Sequence, residues 1–235
     1  GGISIDNLRI PDKYRPRIVK FIQDIYSAGN HESHQCEFPI NGKNGEPIWI
    51  RAACETICNE QGRPVRAVGY YMDITEQKKE YLRSKEDIKI LQRDALTGLY
   101  NRQAAIPKIK RYLKEQRESQ AAMIMFDMDD FKMANDVFGH AYGDAIISKS
   151  AEKLKGFFRE NDIVCRIGGD EFLVLCKNIR EEDIERKLGE VIKAMKISCK
   201  KGGREIIFTA SAGYAMIPEQ GEEFDELYRN ADVAL

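Results

Sequence analysis

No apolar run in the chain approaches the roughly 18 residues that a membrane-crossing helix needs, so no membrane segment is expected in it. Neither sign of charge is in excess: 37 Lys and Arg stand against 38 Asp and Glu. The balance holds locally too, with 15 basic and 13 acidic residues up to Arg93 and 22 and 25 beyond it. A duplex-binding protein would concentrate cations somewhere, so nucleic acid is disfavoured as the main partner. There is no C-x-x-C pair among Cys36, Cys54, Cys58, Cys165, Cys176 and Cys199. Three of these lie inside strand-like apolar runs, and the set reads as reduced, buried thiols of a cytoplasmic protein. Disorder is excluded by the 43% hydrophobic fraction, and 235 residues fit one large domain or two small ones. The opening Gly1-Gly2-Ile3 shows neither Met nor a signal peptide, which reads as a cut inside a longer protein.

Residues 12 to 27 place Ile18, Ile22, Ile25 and Tyr26 on one helical face, with Gly29 as the stop. The runs His34 to Ile40, Pro47 to Cys58 and Pro64 to Ile74 are separated by Gly- and Asn-rich turns, which predicts a three-strand antiparallel meander. From Thr75 the turn residues vanish and charges dominate, while Ile74, Tyr81, Ile88 and Ala95 recur every seven positions with Leu91 between. That is the spacing of a short coiled coil; a solvated connecting helix is the alternative. After Arg93 the pattern turns mixed: a helix to about Glu115, a strand from Ala121 to Asp127, and a helix from about Tyr142 with Ile147, Ala151, Leu154 and Phe158 inward. A hairpin follows, with Ile163 to Ile167 and Glu171 to Leu175 flanking Gly168-Gly169, a pair able to supply φ > 0 at both turn positions. A helix over Glu181 to Lys196, a strand run over Ile206 to Ile217 and a last helix from near Glu222 complete the pattern. The last stripe, Phe224, Leu227, Ala231 and Leu235, runs to the final residue with no C-cap, so the sequence is expected to stop mid-helix.

Two segments carry chemistry. Phe126-Asp127-Met128-Asp129-Asp130-Phe131-Lys132 sets three carboxylates and a lysine where an apolar strand ends. Hard oxygen ligands of this kind suit Mg²⁺, which takes one or two carboxylates and leaves the rest to water and phosphate. A helix N-cap with a solvated acidic loop would use the same residues, and this segment alone leaves both readings open. In Arg166-Ile167-Gly168-Gly169-Asp170-Glu171-Phe172, two glycines without Cβ atoms let a phosphate chain approach the backbone, and two acids follow at once. An ordinary Gly-Gly hairpin with polar flanks is the other reading of that tip.

Gly168-Gly169-Asp170-Glu171-Phe172 resembles the signature of the GGDEF family, the diguanylate cyclases that condense two GTP into cyclic di-GMP. Asp94-Ala95-Leu96-Thr97-Gly98-Leu99-Tyr100-Asn101-Arg102 resembles the family's opening segment, and Asp127 through Asp144 follows its pattern of Asp, Asp, Phe-Lys, Asn-Asp, Gly-His and Gly-Asp. The resemblance covers about residues 94 to 235. It implies an α+β, palm-like fold: a five-stranded sheet with a βαββαβ core and the GGDEF hairpin. Residues 69 to 75, Gly-Tyr-Tyr-Met-Asp-Ile-Thr, resemble the end of a PAS sensor domain. The expected division is therefore 1-75 for the C-terminal portion of a PAS sheet, 76-93 for a helical, coiled-coil-like linker, and 94-235 for the cyclase domain.

Carried over by position, the resemblance implies Asp127, Asp170 and the Met128 carbonyl as ligands of Mg²⁺ or Mn²⁺, with Asp170, Glu171 and Lys132 catalytic and Lys132 facing the phosphates. GTP would meet Gly168, Gly169, Phe131, Asn135 and Asp144. Asn135 and Asp144 match the family's guanine contacts, since one carboxylate accepts both N1-H and N2-H of guanine. A buried Asp144 facing adenine would stay unpaired; a helix-opening acid is the plainer reading of the same residue. Arg159-Glu160-Asn161-Asp162 resembles the inhibitory R-x-x-D site, whose Arg159 and Asp162 would bind cyclic di-GMP; a surface ion pair is the alternative. Members also carry a Lys and an Arg just beyond a segment like Ala231-Asp232-Val233-Ala234-Leu235, positions outside these 235 residues. Because one domain holds one GTP, the resemblance implies a homodimer paired by the linker helix, under PAS control. The rival expectation is an inactive GGDEF domain acting as a receptor for GTP or cyclic di-GMP. No PAS ligand is implied; His31 and His34 read as solvated histidines near a turn.

Overall fold

The computed structural model describes residues 9–42, 44–116, 119–201 and 204–235. The opening Gly1-Gly2-Ile3 and Lys43 of the first turn lie outside the described residues. The chain divides into two compact units, the first ending at Asp87 and the second beginning at Ile88.

In the first unit a 3-10 turn over Asp12–Tyr14 leads into helix α1, Arg15–Ser27, with Pro16 in its first turn where no N–H is needed. Strands β1 (Ser33–Asn41), β2 (Pro47–Cys58) and β3 (Pro64–Asp73) form the antiparallel meander in that order. The register pairs Cys36 with Ala52 and Phe38 with Ile50, so one face of the sheet presents these side chains. Ile18 of α1 joins Ile10, Cys36, Phe38 and Ala52 in a small core. Strand β3 is an edge, exposed along nearly its whole length. His31 pairs with Glu55. His34, expected in solvent near a turn, instead lies half-buried within β1, and its Nε2 is shielded from solvent without a hydrogen-bond partner. Helix α2, Thr75–Leu91, starts where the Asp73 carboxylate accepts the Thr75 N–H at 2.9 Å, and none of its residues is buried. Tyr81, Leu82, Ile88 and Leu91 are exposed on it.

The second unit is built on a five-stranded sheet of order β10-β5-β7-β6-β4, whose strands are Ala210–Ile217, Ala121–Met128, Glu171–Lys177, Ile163–Gly168 and Tyr100–Asn101. All its pairings are antiparallel except β4 with β6. Strand β5 is buried on both faces, which is why it reads as an unbroken apolar run. Ala122, Ile124, Phe126 and Met128 face one layer with α4 (Phe131–Phe138), α5 (His140–Phe157) and α6 (Glu181–Ala194). Ala121, Met123 and Met125 face the other, with α3 (Arg102–Glu115) and α7 (Phe224–Val233). The period-2 alternation of a strand thus feeds two separate cores. A two-stranded hairpin, β8 (Ile197–Lys201) and β9 (Arg204–Phe208), precedes β10. Setting that hairpin aside, the order β5, α4 and α5, β6, β7, α6, β10 is the expected βαββαβ palm.

The helix expected from about Tyr142 is α5, and a further helix precedes it: α4 begins at Phe131, after Asp130 in a left-handed conformation, and Gly139 separates it from α5. Three expectations are corrected. The strand run over Ile206 to Ile217 breaks at Thr209, because Asp129 accepts hydrogen bonds from the Thr209 and Ser211 hydroxyls, the latter at 2.7 Å, and its N–H donates to the Thr209 carbonyl at 3.0 Å. In the GGDEF hairpin Gly168 still pairs with Glu171, so the turn is Gly169-Asp170 and only Gly169 takes positive φ, at 25°. The six cysteines are free, but Cys54 and Cys58 are only half-buried.

Burial pushes the Cys165 thiol up to about 12 and the Cys176 thiol up to about 11. The reactive thiolate is then scarce at both sites. At pH 8 in native protein, iodoacetamide should leave Cys165 and Cys176 unmodified while denaturant exposes both; peptide mapping that finds either alkylated natively contradicts their placement.

Candidate active site

The chemistry gathers where β5 leaves its buried run. Asp127 pairs across the sheet with Glu171 of β7 on one side and Ser211 of β10 on the other. The GGDEF turn brings Asp170 beside them. Burial pushes the Asp127 carboxyl up, and the neighbouring Asp170, Glu171 and Asp129 carboxylates push it the same way. Like charges at a half-buried point are unfavourable until a cation lies among them, so this donor set fits a hard divalent ion. Among the described residues no group of three or more His, Cys, Asp or Glu side chains is placed to hold a metal ion by itself. Mg²⁺ does not need such a group, since it keeps several waters and takes one or two carboxylates. Met128, next in β5, is buried, and the Ser150 hydroxyl approaches its sulfur at 3.3 Å.

Helix α4 starts at once after this acidic corner. Its N-cap residue Asp130 makes no side-chain cap, so the helix start, with Phe131 and the exposed Lys132 on its first turn, suits an anion. One turn on, Asn135 lies against α5 at Gly143: a Cβ there would sit 2.1 Å from Asn135 Oδ1 and 3.2 Å from Phe131 Cζ. The absence of a side chain at Gly143 is what allows Asn135 and Phe131 to lie against α5. Asp144 itself is exposed, four residues past the start of α5. The expectation of a carboxylate buried by the protein is therefore corrected; only a bound base would desolvate it.

Arg159 and Asp162 lie apart from this corner, between α5 and β6. Asp162 is 7% exposed, and its two carboxylate oxygens accept the Arg159 N–H at 2.8 Å and the Lys177 N–H at 2.9 Å. A side-chain ion pair between Arg159 and Asp162 is not what joins them. The two line a cleft of about 450 Å³ that Arg180, Arg186 and Lys187 share. Sequence reasoning gave no role to Asp94 or Arg166, which meet at 3.2 Å behind the turn. The signal was their membership of the two motif strings, but nothing in either string links positions so far apart.

A model of the diguanylate cyclase GGDEF domain matches residues 91–235, and a PAS fold model matches residues 2–71. The chain belongs to the GGDEF family. Diguanylate cyclase TpbB of Pseudomonas aeruginosa is 34% identical over 146 residues, covering 60% of this chain and 34% of that protein. Cyclic di-GMP phosphodiesterase PdeR of Escherichia coli is 30% identical over 164 residues, covering 69% of this chain and 24% of PdeR. The chain thus spans about a quarter to a third of the length of these relatives. Among solved structures, a sensory box/GGDEF family protein from Caulobacter crescentus is 31% identical with a TM-score of 0.56, covering 61% of this chain and 95% of that one. The fold expectation for the second unit is borne out by this family match, and a PAS fold precedes the GGDEF domain. No helix among the described residues is long and apolar enough to cross a membrane.

The close approach at Gly143 gives a direct check. Gly143→Ala must displace Asn135 or Phe131, so guanine nucleotide affinity should fall at least about tenfold, or roughly 1.4 kcal/mol, with the circular dichroism spectrum retained. Unchanged binding in titration calorimetry would remove Asn135 and Phe131 from the nucleotide site.

Proposed function

We propose that the second unit makes cyclic di-GMP from two GTP. The observation that carries this reading is the meeting of Asp127, Asp170 and Glu171 at one end of the sheet, beside the open start of α4. Asn135 and Asp144 hold guanine, the amide and carboxylate reading its Watson–Crick edge, while Lys132 and the α4 start face the phosphates. Gly168 and Gly169, lacking Cβ atoms, admit the nucleotide to the backbone of the hairpin. Asp127 and Asp170 with the Met128 carbonyl hold Mg²⁺ or Mn²⁺, which when bound neutralises charge developing on the phosphates. Glu171, paired across the sheet from Asp127, adds the third carboxylate at the reacting end. Each 3′-hydroxyl attacks the α-phosphate of the other nucleotide; its proton passes to water as the P–O bond forms, the bond to the β-phosphate oxygen breaks, and pyrophosphate leaves.

One domain holds one GTP, so two copies must face each other. Tyr81, Ile88 and Leu91, exposed on one side of α2, supply the apolar stripe for pairing two linker helices. The PAS fold upstream is the controlling module in this reading.

The test is product formation: the full-length protein with GTP and Mg²⁺ should yield cyclic di-GMP, and Asp127→Asn or Asp170→Asn should cut turnover by at least about 10³-fold with the fold intact, since an amide keeps the shape and loses the charge the metal needs. Substantial remaining turnover in either variant takes that residue out of the catalytic set.

Feedback is the second part of the proposal. With Asp162 fixing the turn through backbone N–H groups, the exposed Arg159 side chain is the part of the motif turned to a ligand in the shared basic cleft. Arg159→Ala should relieve inhibition by added cyclic di-GMP and leave initial velocity nearly unchanged. Identical progress curves in wild type and variant, with product added, would overturn this site.

A further inference from the structure

Arg166 lies one residue pair before the GGDEF turn, with 17% of its side chain exposed, and its guanidinium is divided between two tasks. Nε and Nη2 donate to the Gly169 carbonyl at 3.0 and 2.7 Å. Nη1 donates to both carboxylate oxygens of Asp94, at 3.2 and 3.3 Å. Asp94 is itself held from its other side, accepting the Thr97 N–H at 2.9 Å and hydroxyl at 2.7 Å. Burial alone would push the Asp94 carboxyl up, but Thr97 and Arg166 together overcome burial and hold it below its ordinary value, keeping it an anion.

This bonding continues back along the chain. The Asp94 N–H donates to the Leu99 carbonyl at 2.9 Å. Asn101 Nδ2 donates to the Leu91 carbonyl at 2.7 Å, and the Asn101 N–H to the Gln92 carbonyl at 3.0 Å. The last residues of α2 and the Gly169 peptide are therefore ends of one hydrogen-bonded path, all of it within the second unit. The carbonyl of Gly169 belongs to the peptide plane that leads into Asp170. Turning that plane turns the Cα–Cβ direction of Asp170, and a misplacement of about 1 Å at a reacting group can cost roughly 10²-fold in rate.

We propose that Arg166 and Asp94 are a positioning pair that sets the Gly169-Asp170 turn from the end of α2, so that the linker's last turn governs the aim of Asp170. The inference rests on the cyclase reading for its kinetic consequence, though the geometric part stands without it. A planar fork is required. A lysine at 166 would keep the charge but present a single ammonium, unable to serve the carbonyl and the carboxylate in this geometry.

The experiment uses the full-length protein as wild type, Asp94→Asn, Arg166→Lys and Arg166→Ala, read by hydrogen exchange, thermal unfolding and steady-state kinetics with GTP. All three variants should exchange the amides of residues 168–171 at least about tenfold faster, with β5 and α5 unaltered and unfolding temperature close to wild type. The kcat should fall about 10- to 100-fold while KM for GTP stays within about threefold, and Arg166→Lys should not restore it. Unchanged exchange at the turn overturns the pair, as does faster exchange with full kcat or a Lys variant that behaves as wild type. If wild type makes no cyclic di-GMP the cyclase reading fails on its own, and the exchange data still decide the pair.

Discussion

Strand β5 has no free face. With β10 and β7 on its edges and a helical layer over each side, its residues from Ala121 to Phe126 are fully buried. A strand so enclosed cannot slip by one residue, because the slip would exchange the sets that serve the two cores and drive Asp127 into one of them. The register is therefore fixed by packing, and the position of Asp127 at the end of the strand follows from it. Asp127 emerges opposite Glu171 and Ser211 because Ile124, Met125 and Phe126 cannot be anywhere else. The apolar alternation of β5 is thus the source of the electrostatic arrangement at its end.

That arrangement is costly for the protein alone. Asp127, Asp170 and Glu171 repel one another at a point where burial already disfavours charge. Two anchors hold the corner together against this. Asp129, the next acid in the run, is drawn away to the Thr209 and Ser211 hydroxyls, where it fixes the start of β10. Asp94 neutralises Arg166, whose remaining donors clasp the turn. Acids adjacent in the sequence thus divide into those satisfied by the fold and those left to a ligand. Such unsatisfied charge is the usual mark of a site built for something that binds.

Much of this was legible in the sequence because it is local. The motif strings name Asp127, Lys132, Asn135, Asp144 and Asp170 outright, and the burial of β5 follows from its unbroken apolar run. What escaped has one common cause, the long-range partner. The break at Thr209 depends on Asp129, eighty positions earlier. The use of Asp162 depends on the Lys177 N–H across the β6–β7 hairpin, and no pattern in Arg159-Glu160-Asn161-Asp162 distinguishes an acid that caps a turn from one that meets a ligand. Helix α4 escaped for a different reason: it has eight residues, begins after a left-handed Asp130, and offers too few turns for a periodic stripe.

The two units also differ in how firmly their sequences hold them. The second has two extensive cores on opposite faces of one sheet, whereas the first closes around Ile10, Ile18, Cys36, Phe38 and Ala52. A three-stranded sheet with one helix and so few buried side chains lies near the lower limit of independent stability. Its edge strand β3 carries Val65, Val68, Tyr70, Tyr71 and Met72 in the open. Contacts made on those side chains would add a large fraction of such a unit's stability, while the same contact on the second unit would add a small one. A contact worth a given small free energy therefore weighs more in the first unit than in the second, and α2 has no buried residue of its own to resist displacement.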